Sequence, residues 1–381
     1  MLASQRELFD IPRDICYLNS ASYSPLPRRT QEAARAAIGR KGAPWTLDAA
    51  FANRQHERAR GAAARLINAD ASDVALISSV SFGVATVGKV LAIPPGMRVL
   101  VLENDHSSPI LEWQTRAASA GFTVETVRQP PDGDWTSAVL AAIERTGAPR
   151  LALASISSVH WSDGGLIDIA KVGAALKRHG ALFLIDATHA IGVLAMDVKS
   201  LDPDFVIFPT YKWLLGPYGR AFIYMAKRHQ NGIPLEQTGF GRREIRSDAE
   251  IYFADVSYVP TARRFDMGER DHFISMEMAA IGMEMMAEWG TEAVAGRLAV
   301  LTARIAEALG GTKVRLMETR FRAPHVLSLG FAGGLPTGLI EGLAADGVYV
   351  APRLSRMRIS PHVFNDEEDA DRFVAALKKR L

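Results

Sequence analysis

The stretch 183-FLIDATHAIG-192, followed by 208-FPTYKWLLGP-217, decides how this chain is read. An apolar strand over 183–185 ends in Asp186. A second, 204-DFVIF-208, ends just before Lys212, which sits in a tight Tyr-Lys-Trp turn closed by Gly216 and Pro217. An acid at one strand end and a lysine at the next place a carboxylate and an amine near the same edge of one sheet. Such a pair suits pyridoxal 5'-phosphate (PLP). The lysine amine forms a Schiff base with the aldehyde. The acid keeps the pyridine nitrogen protonated, so that the ring draws electrons from a substrate carbanion. Taken alone, each residue is more readily read as a surface lysine or an ordinary strand-end aspartate. The reading strengthens as other parts of a PLP site follow in order.

Outward from this stretch, apolar β-rich runs alternate with helical patterns. Strands are expected at 74–77, 98–102, 122–127, 150–156, 181–185, 204–208 and 219–225, and helices at 107–120, 135–146 and 168–179. Strands buried on both faces and separated by helices predict an α/β fold, with a mostly parallel central sheet and helices on both faces. Ligands in such folds bind at the carboxyl ends of strands, where Asp186, Ser157 and Ser158 fall. Between strand 74–77 and an apolar helical run from about 82 to 92 lies 78-SSVSFGVAT-86. A helix start offers free N–H groups and partial positive charge, and nearby hydroxyls add donors, which makes a phosphate cradle. The plainer reading is a helix N-cap at Ser81.

The pattern changes near residue 230. Residues 228–272 read as loop, rich in Arg, Gly and Asp. Helices are expected at 275–289 and 292–309, strands at 313–318 and 325–331, a helix at 336–345, strands at 347–351 and 356–360, and a final helix at 366–380. This predicts an N-terminal arm (1–20), a large cofactor-binding domain (21–262) and a smaller C-terminal α+β domain (263–381).

Bulk properties narrow the function classes. With 381 residues and 48% apolar content the chain can bury a sizeable core. A net charge of +2, from 44 basic and 42 acidic residues spread evenly, offers no footprint for nucleic acid or a membrane surface. No apolar run is long enough to span a bilayer, and the polar start MLASQRELFDIPRD has no signal-peptide core. The single Cys16 excludes an intrachain disulfide, and the nine histidines form no cluster spaced for a metal. These points favour a cytoplasmic enzyme without a metal centre.

The order Ser81, Asp186, Lys212, with the lysine 26 positions after the aspartate, resembles the class V aminotransferases. These are the fold-type-I PLP-dependent group that also holds cysteine desulfurases, kynureninases and isopenicillin N epimerases. The resemblance runs from 17-YLNSASYSPLP-27 to 358-RISPHVFNDEEDADRF-373. It implies that Lys212 is the Schiff-base lysine and that Asp186 pairs with the pyridine nitrogen. It implies that Ser81 and the backbone of Val80 bind the phosphate, that His189 sits near the ring hydroxyl, and that His106 falls near the position that stacks on the cofactor. Arg358 would grip the substrate carboxylate with its planar fork, with Arg353 as a second candidate and Asn19 and Ser22 lining the pocket. A homodimer with sites at the interface is implied as well.

Several positions depart from the family pattern. Many members carry a serine three residues before the lysine and a histidine immediately before it; here these are Pro209 and Tyr211, so Thr210 or the Tyr211 phenol is the candidate replacement. A ring-contacting Asn is replaced by Trp161, which can stack or donate one hydrogen bond. Where relatives have Gly-Thr reaching the partner's phosphate, this chain has Gly268-Glu269-Arg270, and Arg270 is the better phosphate ligand. No cysteine lies on the C-terminal segment where desulfurases need a thiol, which disfavours that reaction. An aminotransferase acting on an amino acid is the leading expectation, because it needs no catalytic group beyond the lysine. A PLP-dependent lyase (C–S lyase or kynureninase-like) or an epimerase is the alternative, with a non-catalytic PLP-binding protein further behind.

Overall fold

The computed structural model describes residues 2–245 and 250–381. Its centre is a seven-stranded sheet. The strands are β1 (Val74–Ile77), β2 (Arg98–Leu102), β3 (Thr123–Val127), β4 (Leu151–Ser157), β5 (Leu182–Asp186), β6 (Phe205–Pro209) and β7 (Ala221–Met225). They lie in the order β1-β7-β6-β5-β4-β2-β3. Pairings among β2 to β6 are parallel; β7 runs antiparallel to both β6 and β1. The carboxyl ends of β1, β2, β4, β5 and β6 therefore share one edge, and β7 starts at that same edge.

Alternation along the strands divides the core in two. Phe183 and Ile185 of β5 face one apolar cluster, and Leu184 faces the other. Helices Val80–Val90 and Ser107–Ala120 cover one face. Helices Ala49–Leu66, Trp135–Ile143, Ile169–Arg178 and Phe273–Trp289 cover the other. Gly83 lets the first of these helices lie close to the sheet, since a Cβ there would meet Ile77 and Ile207 at under 3 Å. A third cluster fills a smaller sheet, in the order Leu327–Leu329, Arg356–Ile359, Ala351–Arg353, backed by helices Thr291–Ala308, Leu339–Ala345 and Glu367–Lys378. The N-terminal segment is tied to this unit. Cys16–Tyr17 pairs in parallel with Val348–Tyr349, and Asn19 bridges to Ser360.

The expected strands of the central sheet are all present, with ends moved by a residue or two. Three local expectations are corrected. The stretch read as loop holds an antiparallel hairpin, Arg242–Ile245 with Phe253–Tyr258; its strands are half exposed or exposed on both faces, so no alternation marks them. Residues 313–318 form no strand beyond a single bridge, Arg315 to Gly330. Helices Arg28–Gly42 and Ala49–Leu66, in Arg- and Ala-rich sequence, carry no strong apolar stripe and were not anticipated; both pack on Phe273–Trp289. Among the described residues no helix is long and apolar enough to cross a membrane.

Candidate active site

The shared sheet edge carries a cavity of about 230 Å³, lined by the Ser78–Ser81 loop, His106, Trp161, Asp186, His189 and Lys212, among others. A second chamber of about 460 Å³ adjoins it. His106, Trp161, Tyr211, Lys212 and Tyr218 line both, and Ser22, Arg353 and Arg358 line the outer one.

At one end of the inner chamber, helix Val80–Val90 begins. Its N-cap is Ser79, whose hydroxyl accepts from the Phe82 amide at 3.1 Å. The cap thus lies two residues before the one anticipated, and Ser81 is left in the first turn, its Oγ 3.1 Å from that of Ser79. The first amides of a helix have no partner within it, so Val80 and Ser81 present N–H groups and a hydroxyl to the cavity. That end can hold an anion.

On the floor, Asp186 is buried and accepts from the Thr188 amide at 2.9 Å. Lys212 is buried too. Burial, and then the charge of Arg358, push its amine down to about 7, against the pull of Asp186. His189 lies between them in sequence and beside the lysine in space, its Nε2 3.2 Å from Lys212 Nζ. The Trp213 indole donates to His189 Nδ1 at 3.2 Å. A neutral imidazole carries one proton, so this bond puts it on Nε2, facing the lysine. Burial and the Lys212 charge hold His189 well below its usual pKa, and hence neutral. Trp213 is itself wedged between His325, edge-on at 4.4 Å, and His362, stacked at 5.5 Å. His325 donates to the His189 carbonyl at 2.7 Å and His362 to the Trp213 carbonyl at 3.2 Å. Sequence reasoning missed Trp213, His325 and His362; the two histidines are brought here by two separate returns of the chain, at 325 and at 362.

Over the floor, His106 stands at the N-cap position of helix Ser107–Ala120 with no side-chain cap bond, and its ring lies perpendicular to that of Trp161, centres 6.0 Å apart. Burial, then the Lys212 charge, lowers its pKa. The Trp161 N–H is already taken by the Asn104 carbonyl at 2.6 Å, so the indole offers its ring and not a hydrogen bond. That removes one of the two roles anticipated for it.

The outer chamber is organised by Ser22. Its hydroxyl donates to Asn19 Oδ1 at 2.7 Å and accepts from Arg353 at 2.7 Å and Arg358 at 2.9 Å. Arg358 is 1% exposed, donates also to the Trp161 carbonyl at 2.6 Å, and keeps a buried Nε with no partner. Among the described residues neither arginine has a carboxylate within 4 Å. Arg353, Arg358 and Ser22 are therefore brought together, whereas Asn19, expected to line the pocket, lines neither chamber and supports Ser22 from behind.

Two further anticipated residues, Thr210 and Arg270, fall outside the cavity of their own chain. Thr210 is buried, and its hydroxyl donates to the Pro217 carbonyl at 2.8 Å, so it is no free phosphate donor. Arg270 is ion-paired with Asp266, which also holds Arg60 through both carboxylate oxygens. Glu269, beside it, lines neither chamber. Tyr211 does line both, with Lys212 Nζ 5.5 Å from its ring centre.

The donor set fits PLP: hydroxyls and helix amides at one end, a carboxylate on the floor, a buried amine with a lowered pKa, and an arginine whose Nε has no partner at the open side. Comparison with known proteins agrees. The chain is 27% identical to the "Uncharacterized aminotransferase YcbU" of Bacillus subtilis (strain 168), over 96% of this chain and 94% of that one. It is 24% identical to a probable cysteine desulfurase of Pyrococcus abyssi, over 86% and 84%. Among solved structures, the apo cysteine desulfurase of Thermococcus onnurineus NA1 superposes with a TM-score of 0.83 at 19% identity, covering 100% of this chain and 98% of that one. The cystine C–S lyase C-DES with its product cysteine persulfide gives 0.84 at 19%, covering 96% and 97%. At these identities the structural likeness establishes the fold-type-I architecture alone. The profile of the family described as aminotransferase class-V matches residues 16–373. With nearly its whole length matched, the chain belongs to the class V aminotransferase family of PLP-dependent enzymes, and pyridoxal 5'-phosphate is its cofactor.

Proposed function

We propose that this enzyme is an aminotransferase acting on a small-molecule α-amino acid. The observation that carries the reading is the Lys212 amine, buried between the two chambers with a pKa of about 7. When bound, PLP supplies an electron sink that acidifies the substrate's α-carbon. Lys212 would hold the cofactor's aldehyde, and its buried amine, with a pKa lowered to about 7, would be suited to take a proton from the α-carbon and return one. Asp186 would hold the ring nitrogen's proton, and Ser81 with the Val80 and Ser81 amides would hold the phosphate. His189 keeps a neutral N–H beside Lys212, where it could serve the ring hydroxyl. Arg358, positioned by Ser22 with Asn19 behind it, would bind the α-carboxylate, and the Trp161 and His106 rings narrow the chamber. Transamination asks for no other acid or base.

Cysteine desulfuration is disfavoured by the state of the chain's single thiol. Cys16 is fully buried, donates to the Asp369 carbonyl at 3.2 Å, lines neither chamber, and is pushed far above the usual thiol pKa by burial. We read the working unit as a homodimer; Tyr23 and Tyr218, 61% and 70% exposed at the outer chamber, support a partner at that rim. Sedimentation with activity assays checks this, and fully active monomers would contradict it.

The test of the reaction is incubation of the holoenzyme with an amino-acid panel, with and without a 2-oxo acid acceptor. An aminotransferase forms a new amino acid only when the acceptor is present. Release of free ammonia and a 2-oxo acid would show elimination, release of alanine without an acceptor would show kynureninase-type hydrolysis, and formation of the opposite enantiomer would show epimerisation.

A further inference from the structure

We propose that Arg220 is a phosphate clamp for the cofactor and takes the place of the hydroxyl missing at Pro209. The first observation is topological. Strand β7 runs antiparallel between β1 and β6, with Ala221 opposite both Ile77 and Pro209. Arg220, one residue earlier, therefore enters the sheet edge between the Ser78–Ser81 loop and the Lys212 turn, and it lines the inner chamber with them. Thr210 fixes its backbone: the Thr210 amide donates to the Arg220 carbonyl at 3.0 Å.

The second observation is charge. Arg220 is 6% exposed and, among the described residues, has no carboxylate within 4 Å. Its Nε donates to Ser275 Oγ at 2.6 Å, Nη1 reaches Met267 Sδ at 3.7 Å, and Nη2 makes no hydrogen bond. Ser275 in turn donates to His272 Nδ1 at 2.9 Å, which aims the serine's lone pair at the guanidinium. A buried cation without a counter-ion is costly, and an anion in the chamber offsets that cost. The planar fork suits a phosphate. The other candidate, Arg270, already has its carboxylate. The arginines of the outer chamber lie at the other side of Lys212, so the substrate's carboxylate does not compete for Arg220.

The proposal rests on PLP occupying the inner chamber. Wild-type binding of pyridoxal, which lacks the phosphate, tests that placement separately. The experiment compares dissociation constants of PLP and pyridoxal for cofactor-free wild type, Arg220→Gln and Arg220→Lys. Loss of a desolvated charged contact is expected to weaken PLP by about 30-fold or more in Arg220→Gln while pyridoxal changes by less than about threefold. Arg220→Lys, which keeps the charge, should lie between, and it reads the same ratio should the Gln variant fail to fold. Equal losses for both ligands would mean that Arg220 only supports the fold. Unchanged PLP affinity in either folded variant would end the proposal.

Discussion

In the inner chamber most polar groups arrive with partners, the unneutralised Arg220 at its phosphate end being the exception. Asp186 has the Thr188 amide, His189 has the Trp213 indole, and Ser79 has the Phe82 amide. In the outer chamber two guanidiniums converge on one hydroxyl, with no carboxylate near either among the described residues. The difference follows from what each chamber must receive. A resident cofactor needs a surface already shaped for it, and groups held by their own neighbours cost no reorganisation when it binds. A substrate that enters and leaves is better met by unneutralised charge that the α-carboxylate satisfies. Lys212 lies at the junction and feels both, since Asp186 raises its pKa while Arg358 and Arg353 lower it.

The largest effect should come from the junction. Lys212→Ala is expected to lower turnover by about 10²–10⁴-fold, the range for loss of a positioned acid–base group, while the variant still binds amino acids. Normal turnover would move the chemistry to another residue. Next comes the outer chamber alone. Arg358→Ala should keep the cofactor and its absorbance while affinity for amino acids falls about 30-fold to several-thousand-fold. Arg358→Lys should recover only part, because an ammonium cannot make the bidentate pair. If Arg358→Ala instead loses PLP, the division between the chambers is wrong.

A third test uses pH. Lys212 titrates near 7 in the folded cofactor-free protein and near 10.5 when exposed. Between those values the unfolded chain binds the extra proton, so this group makes stability rise with pH across that window. The burden it places on the fold is full below about pH 7 and gone above about 10.5. Cofactor-free Lys212→Met should therefore be more stable than its parent at low pH, with the gap closing as pH rises through that window. Denaturant melts at several pH values check this, and a gap independent of pH would contradict it. The smallest effect belongs outside both chambers. Cys16→Ser should keep full activity and lose about 1 kcal/mol or less of stability, since the hydroxyl can still donate to Asp369. Loss of activity with the fold and bound PLP intact would bring sulfur chemistry back.

The inner chamber's main groups were legible because each stands where an apolar run stops. Asp186, Lys212 and the 78–81 serines mark strand ends by a change from apolar to polar residues, and a parallel sheet gathers such ends on one edge. Arg358 was legible through the motif around it. What escaped depends on contacts far apart in sequence. Nothing local to Trp213 says that its indole sets the tautomer of His189, or that His325 and His362 wedge it. Arg220 reads as the second residue of the strand expected at 219–225 until the antiparallel entry of β7 beside β1 is known. Thr210 misled for the same reason. A suitable side chain at a suitable position says nothing of the Pro217 carbonyl that already occupies it.

Reduction of the PLP-loaded enzyme with borohydride, followed by peptide mapping, tests the centre of this account most directly. The cofactor should be fixed on the peptide carrying Lys212, one per chain, in wild type and in Arg358→Ala alike. Recovery of the label on an exposed lysine such as Lys171 or Lys227, with Lys212 unmodified, would contradict it.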